Sequence, residues 1–292
     1  GFHEVVRHGG GGITQGPDYW GNDYFDDTYW HNGETQKYKG YCTDVFFSEA
    51  MDFIEENKND PFFCYIATNA PHGPFNLPKK YLDMYKGVDD LKERFQRFYG
   101  MITNIDDNFK LLQKKLDELK IADNTVLIFM TDNGTAGGHQ VFDAGLREGK
   151  GSEYEGGHRV PLFIRWPDGQ LTGGRDIDKL AAAYDLLPTF VDVLGLDFNP
   201  LKPLDGTSLK PLLYDQAENW PNRTLYIDTQ RLQNLVKYRK YSVMDDNWRF
   251  VNGTELYNMN TDRSQTKNVI DQHPEVVEKL AEGYERWWQS FV

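Results

Sequence analysis

The run Val126-Leu-Ile-Phe-Met-Thr131, followed at once by Asp132-Asn133-Gly134, restricts what this chain can fold into more than any other stretch. Its six residues are apolar or β-branched without alternation, the pattern of a strand buried on both faces. Such strands belong to parallel sheets with helices laid over them. Open α/β sheets bind ligands beyond the carboxyl ends of their strands, so Asp132 and Asn133 fall at the expected rim. Two adjacent oxygen donors suit a hard cation such as Ca²⁺ or Mg²⁺, although Asp-Asn-Gly after a strand is also an ordinary turn.

The rest of the first 220 residues agrees with this layout. Residues 1 to 41 are rich in glycine and aromatics, with four consecutive glycines from Gly9 to Gly12. The aromatics could form a platform for sugar rings, but packing onto the body is the more ordinary use of them. Thr43 can cap a helix running to about Asn57. Phe62 to Thr68 reads as a second buried strand, ending in Asn69-Ala-Pro-His72-Gly-Pro74. A histidine held between two Pro/Gly turns at a strand end suits an acid or a ligand, and is also what a plain loop can contain. A short helix near Pro78 to Tyr85 precedes the strongest periodicity in the chain. Leu91, Phe95, Phe98, Ile102, Ile105, Phe109, Leu112, Leu116 and Leu119 form one apolar stripe along a long helix. Helix, strand, rim loop, long helix, strand, rim loop is the order of a doubly wound α/β sheet.

Beyond Gly134 lies a long glycine-rich loop that ends at a third expected strand, Val160 to Trp166. Its Arg147, Lys150 and Arg159 are cations in a chain of net charge −13, set beside the acidic rim, and would suit an anionic group. That net charge argues against nucleic acid as a partner. No apolar run reaches membrane length. Cys42 and Cys64 fit no metal, redox or disulfide spacing and read as packing residues. Further on, Lys179 to Ala183 is a possible strand, and Asp185 can cap a helix to about Leu194. The proline-bearing stretch from Pro200 to Pro221 looks like a surface linker. Thr224 to Thr229, Tyr238 to Met244, Trp248 to Val251 and Glu255 to Tyr257 suggest a small antiparallel sheet. A final helix from Pro274 would pack on it through Val277, Leu280, Tyr284, Trp287 and Phe291.

Taken together and in order, Ala70-Pro-His72, Thr131-Asp132-Asn133-Gly134, Gly149-Lys150, Glu155-Gly-Gly-x-Arg159-Val-Pro161, Asp185-Leu-Leu-Pro188-Thr189 and Glu255-Leu-Tyr257-Asn258 resemble the type I sulfatases of the alkaline phosphatase superfamily. The resemblance implies an α/β fold: an alkaline-phosphatase-like sheet flanked by helices, its N-terminal part absent, in residues 1–220. A small C-terminal α+β subdomain with an antiparallel sheet would occupy residues 221–292. It implies Ca²⁺, ahead of Mg²⁺, on Asp132 and Asn133, and catalytic roles for His72 at the sulfate and for Lys150 between sulfate and leaving oxygen. His139 and Arg147 would bind substrate. The Glu-Gly-Gly glycines and Arg159 would shape the loop and strand start.

The family's Cys/Ser-x-Pro-x-Arg motif, whose first residue becomes formylglycine, is matched by neither cysteine and by no serine. The chain therefore resembles the later part of a sulfatase, and formylglycine is expected only upstream. The implied activity is hydrolysis of a sulfate ester, with a sulfated carbohydrate as substrate, in the complete protein and not in this chain alone. A phosphodiesterase or phosphonate hydrolase of the same superfamily is the alternative, as is a non-catalytic glycan-binding remnant. The resemblance favours a periplasmic or secreted protein; residues alone leave compartment and oligomeric state open.

Overall fold

The computed structural model describes residues 1–16, 18–230 and 233–290. Contacts divide the chain into two compact units, Gly1–Thr125 and Val126–Val292, so the expected division near residue 220 falls inside the second.

The first unit opens with strands β1 (Val6–Arg7), β2 (Thr28–His31) and β3 (Glu34–Lys37), paired antiparallel in that order. Asn32 and Gly33, both with positive φ, make the tight turn between β2 and β3, the residue pair that such hairpins favour. Helices α1 (Cys42–Glu56), α2 (Lys79–Tyr85) and α3 (Glu93–Glu118) follow. The aromatics at the start are core: Tyr24, Tyr29, Tyr38 and Tyr41 are buried together with Ile13, Cys42, Val45, Leu77, Tyr81 and Met101. Both cysteines are free, and burial pushes the Cys42 thiol up to about 12.

Three expectations are corrected in this unit. Thr43 is not the cap of α1: Tyr41 occupies that position, no side chain caps it, and Thr43 is buried inside the helix. The buried line of α3 runs through Met101, Asn104 and Asn108, while Ile102 turns outward at 39% exposure. The reason is polar. Asp44 of α1 accepts hydrogen bonds from the side-chain amides of Asn104 and Asn108, each at 2.7 Å, and buried polar groups must meet partners. Phe62 to Thr68 is not a strand, because a strand is a pairing and no described segment pairs with this run. Phe63 and Tyr65 are exposed at 60% and 70%.

In the second unit β4 (Leu127–Met130) pairs with β5 (Leu162–Arg165), and the pairing is antiparallel, Leu127 opposite Arg165 and Met130 opposite Leu162. The expectation of a parallel neighbour and burial on both faces is corrected accordingly. One face packs Val126, Ile128 and Ile164 against Leu186, Phe190 and Val193. The other carries Phe163 at 65% exposure. An antiparallel pair needs no crossover helix, so the chain between them is free to form the long loop and the single-turn helix α4 (Glu155–His158).

Helix α5 (Leu186–Val193) matches its expected span, and Asp185 stands at its N-cap position but makes no side-chain cap hydrogen bond. Lys179 to Ala183 is not a strand: Asp246 takes the Leu180 N–H at 3.1 Å and the Lys179 ammonium at 2.9 Å in place of a ladder. The expected linker is partly structured, since α6 (Lys210–Leu213) with Leu209 and Trp220 forms a small core of its own. Strands β6 (Leu225–Asp228), β7 (Tyr241–Met244), β8 (Trp248–Val251) and β9 (Glu255–Asn258) form an antiparallel meander in chain order. Helix α7 (Pro274–Gln289) lays Leu280, Tyr284 and Trp288, with Val277 and Trp287 beside them, on Tyr241, Val243, Phe250 and Leu256. Phe291, expected on the same face, lies outside the described residues. No helix among the described residues is long and apolar enough to cross a membrane.

Candidate active site

Strand β4 ends where its pairing ends, and the next residues turn out into the rim. Asp132 is exposed, and the side-chain amide of Asn133 lies against its carboxylate. The two ends of an amide are interchangeable in such an assignment, so both residues can present oxygen to one point. In kind these donors fit a hard cation; in number they supply two of the roughly six to eight oxygens that Ca²⁺ takes. Among the described residues Asp132 belongs to no cluster of three His, Cys, Asp or Glu ligand atoms.

The loop beyond is held by backbone contacts that only glycine permits. The Gly134 N–H donates to Gly157 O at 3.0 Å, and the Gly156 N–H to Arg147 O at 2.9 Å. A Cβ on Gly134 would stand 1.9 Å from Gly156 O, one on Gly156 2.2 Å from Glu148 O, and one on Gly157 2.2 Å from Ser152 O. The expected shaping role of the Glu-Gly-Gly stretch therefore has a geometric basis: it seats the loop against the residue that follows Asp132-Asn133.

That seat brings two of the expected residues together. Thr135 O accepts the Lys150 N–H at 3.0 Å and faces His139 Nδ1 at 3.2 Å. Buried Gly149 makes this possible, since a Cβ there would meet both His139 and Thr135 O at 2.6 Å. A carbonyl only accepts, so His139 Nδ1 carries the hydrogen and Nε2 of the neutral ring is the free acceptor. Lys150 itself is exposed: a long-stemmed cation on a hydrogen-bonded backbone, just past the rim.

Arg147 is tied down on one side while its side chain keeps 35% exposure. Its Nη1 donates to Tyr257 Oη at 2.7 Å, Gln265 O at 3.1 Å and Glu255 Oε2 at 3.4 Å. Its guanidinium lies 3.8 Å from the centre of the Tyr154 ring. These contacts tie the loop to β9 and the segment after it.

His72 belongs to the first unit. It sits between two cis peptides, Ala70-Pro71 and Gly73-Pro74. Its backbone is fixed from both sides: its N–H donates to Asn69 O at 2.9 Å, and buried Tyr24 donates its hydroxyl to His72 O at 2.6 Å. The ring is exposed, with Nδ1 donating to Gly73 O at 2.8 Å, which leaves Nε2 available as a proton carrier.

Composition and spacing missed the group that organises the loop's far end. Glu155, 1% exposed, accepts from Arg249 Nε at 2.6 Å and Arg159 Nε at 2.5 Å, with His158 Nε2 at 3.3 Å. Burial alone would push this carboxyl up, but His158, Arg249 and Arg159 together outweigh it and hold it well below the usual range. The Glu155 N–H also donates to the side chain of Gln265 at 2.8 Å. No local signal announces partners about a hundred residues away.

The chain is similar to known proteins along most of its length. Residues 9–196 match the family model described as Sulfatase, and residues 137–288 match that of the N-sulphoglucosamine sulphohydrolase C-terminal region. The uncharacterized sulfatase YdeN of Escherichia coli K12 is 27% identical over 88% of this chain and 52% of its own length. The N-acetylgalactosamine-6-O-sulfatase of Bacteroides thetaiotaomicron is 27% identical over 82% of this chain and 49% of its own length. The crystal structure of Ps i-CgsB in complex with k-i-k-neocarrahexaose superposes with a TM-score of 0.80 at 28% identity, covering 89% of this chain and 58% of that one. The chain thus spans about half the length of the curated relatives it matches.

Proposed function

The chain belongs to the sulfatase family, and on that premise we propose that a protein carrying it over the family's full length hydrolyses the sulfate ester of a sulfated carbohydrate. The substrate class is drawn from the relatives, one named as an N-acetylgalactosamine-6-O-sulfatase and one solved with k-i-k-neocarrahexaose. The observation that carries the proposal is the hydrogen bond from Lys150 N–H to Thr135 O, which keeps a lysine beside the Asp132-Asn133 rim.

In this account Asp132 and Asn133 hold Ca²⁺ with ligands from elsewhere, and the ion when bound draws negative charge from the ester oxygens. Lys150 neutralises the sulfate and the oxygen that leaves with the alcohol; its exposed, flexible stem lets it follow that oxygen. For His72 the support is the family resemblance, which gives a histidine of this motif a place at the sulfate, with Nε2 as its proton carrier. His139, its Nδ1 donated to Thr135 O, offers Nε2 to a substrate hydroxyl. Arg147 enters as the anchor of the loop rather than as a ligand of the anion. Formylglycine belongs to the family's upstream motif and to no residue of this chain.

The test is turnover in the full-length, active protein. Lys150→Ala should lower kcat by at least about a hundredfold, the scale of losing one charge-stabilising group. Near-normal turnover would overturn the assignment of Lys150, and faster hydrolysis of phosphate or phosphonate esters than of sulfate esters would replace the substrate class.

A further inference from the structure

The first unit holds a second constellation of ligand chemistry, on residues that the proposed reaction does not use. Glu4 precedes β1, His31 ends β2, and Glu49 lies on α1. One ligand atom from each stands within 4.8 Å of the other two, which no other trio of His, Cys, Asp or Glu achieves among the described residues.

Backbone pairing holds the trio in place. Val6 of β1 lies opposite His31, the Val5 N–H donates to Asn32 Oδ1 at 2.8 Å, and the Asn32 N–H returns to Val5 O at 3.0 Å. The imidazole is oriented as well. At Nδ1 stand the Tyr38 hydroxyl, 2.8 Å away, and Gln36 Oε1, 3.2 Å away. When the Tyr38 hydroxyl donates to Glu49 Oε2, 3.3 Å away, Nδ1 is the donor to the Tyr38 oxygen; Glu49 Oε2 itself lies 4.0 Å from Nδ1. The neutral ring then turns the lone pair of Nε2 toward Glu4 Oε1, 3.4 Å away. In that tautomer a lone pair faces a carboxylate, an arrangement that a proton or a metal ion between them satisfies, and a histidine whose other nitrogen is held by a hydrogen bond is how proteins prepare a metal ligand.

We propose that Glu4, His31 and Glu49 bind a divalent transition metal of the Zn²⁺ type, with water completing the coordination. One imidazole nitrogen with two carboxylates is a mixed set that suits Zn²⁺, whereas Ca²⁺ and Mg²⁺ take oxygen alone. Metal–ligand lengths of roughly 2.0–2.2 Å place ligands about 3–3.6 Å apart, so the trio closes by about an ångström on binding. Side-chain exposures of 26% for His31, 35% for Glu4 and 28% for Glu49 give the room to do so and a path for the ion. The bound ion clips the start of the chain and α1 onto the hairpin.

The experiment is calorimetric titration of Zn²⁺ into the chain in excess Ca²⁺, which fills oxygen-only sites, followed by thermal unfolding. One Zn²⁺ per chain and a raised unfolding midpoint are expected. Glu4→Gln and His31→Gln should each weaken binding at least about tenfold, while Asp132→Ala leaves the Zn²⁺ affinity within about twofold. Glu4→Gln sits near the chain start, and its metal-free unfolding midpoint shows whether the fold is intact. Absence of Zn²⁺ binding, unchanged binding in Glu4→Gln, or loss of binding in Asp132→Ala would each overturn the proposal.

Discussion

Replacing Glu155 with glutamine removes one negative charge from a place that water barely reaches, and the structure says how much this should matter. Arg249, only 3% exposed, loses its charged partner. Arg159 loses one too, but its side chain is 42% exposed, so solvent already screens that pair. Removing one member of a buried pair costs about 3–5 kcal/mol. Arg249 keeps its hydrogen bonds to the carbonyls of Asp245 and Trp248, which places the loss near the lower end, about 3 kcal/mol. Urea unfolding followed by tryptophan fluorescence reads it. The pH dependence supplies a second check. The folded Glu155 carboxyl lies below its ordinary value, so its contribution is fully present above the unfolded pKa of about 4.3 and fades as pH falls from there toward the folded value. The gap between wild type and variant should narrow below about pH 4 as the carboxyl takes up its proton. A loss under about 1 kcal/mol, or a gap that stays constant down to about pH 3, would refute the claim that this carboxylate is a buried, charged anchor.

The same urea assay checks two further substitutions. Gly134→Ala sets a methyl against Gly156 O at 1.9 Å and should cost about 1–3 kcal/mol, whereas Gly16→Ala, with open space around it, should stay within about 0.5 kcal/mol. Asp185→Asn should cost about 3 kcal/mol, because fully buried Asp185 pairs with Arg223 at 2.7 Å and accepts the N–H groups of Ala182 and Thr207.

What could be read from sequence here was local and periodic. The four C-terminal strands and α7 declare themselves because alternation, turn residues and a 3.6-residue stripe are written within a few residues of one another. The Asn32-Gly33 hairpin is equally legible by the same signs. Long-range matters were not legible. Phe62 to Thr68 has the composition of a strand, but whether it pairs depends on segments elsewhere in the fold. Ile102 loses its place in the α3 stripe to Asn104 and Asn108 because of one carboxylate on α1, sixty or more positions earlier. At the site, the expectations for Asp132, Asn133 and Lys150 rest on motif order, and the glycines between them have a geometric reason: backbone meets backbone there. Arg147 drew attention as a cation near an acidic rim, yet its direction is set by Tyr257 and Gln265, about 110 and 118 positions on.

The central claim is tested most directly by sulfate release. The complete reading frame that includes this chain should be expressed in a host that installs formylglycine, and offered aryl sulfate, aryl phosphate and sulfated oligosaccharides with and without Ca²⁺. The account predicts Ca²⁺-dependent release of sulfate in preference to phosphate, abolished by Asp132→Ala and reduced at least about a hundredfold by Lys150→Ala. Preferential phosphate release, or sulfate release indifferent to both substitutions, would contradict it.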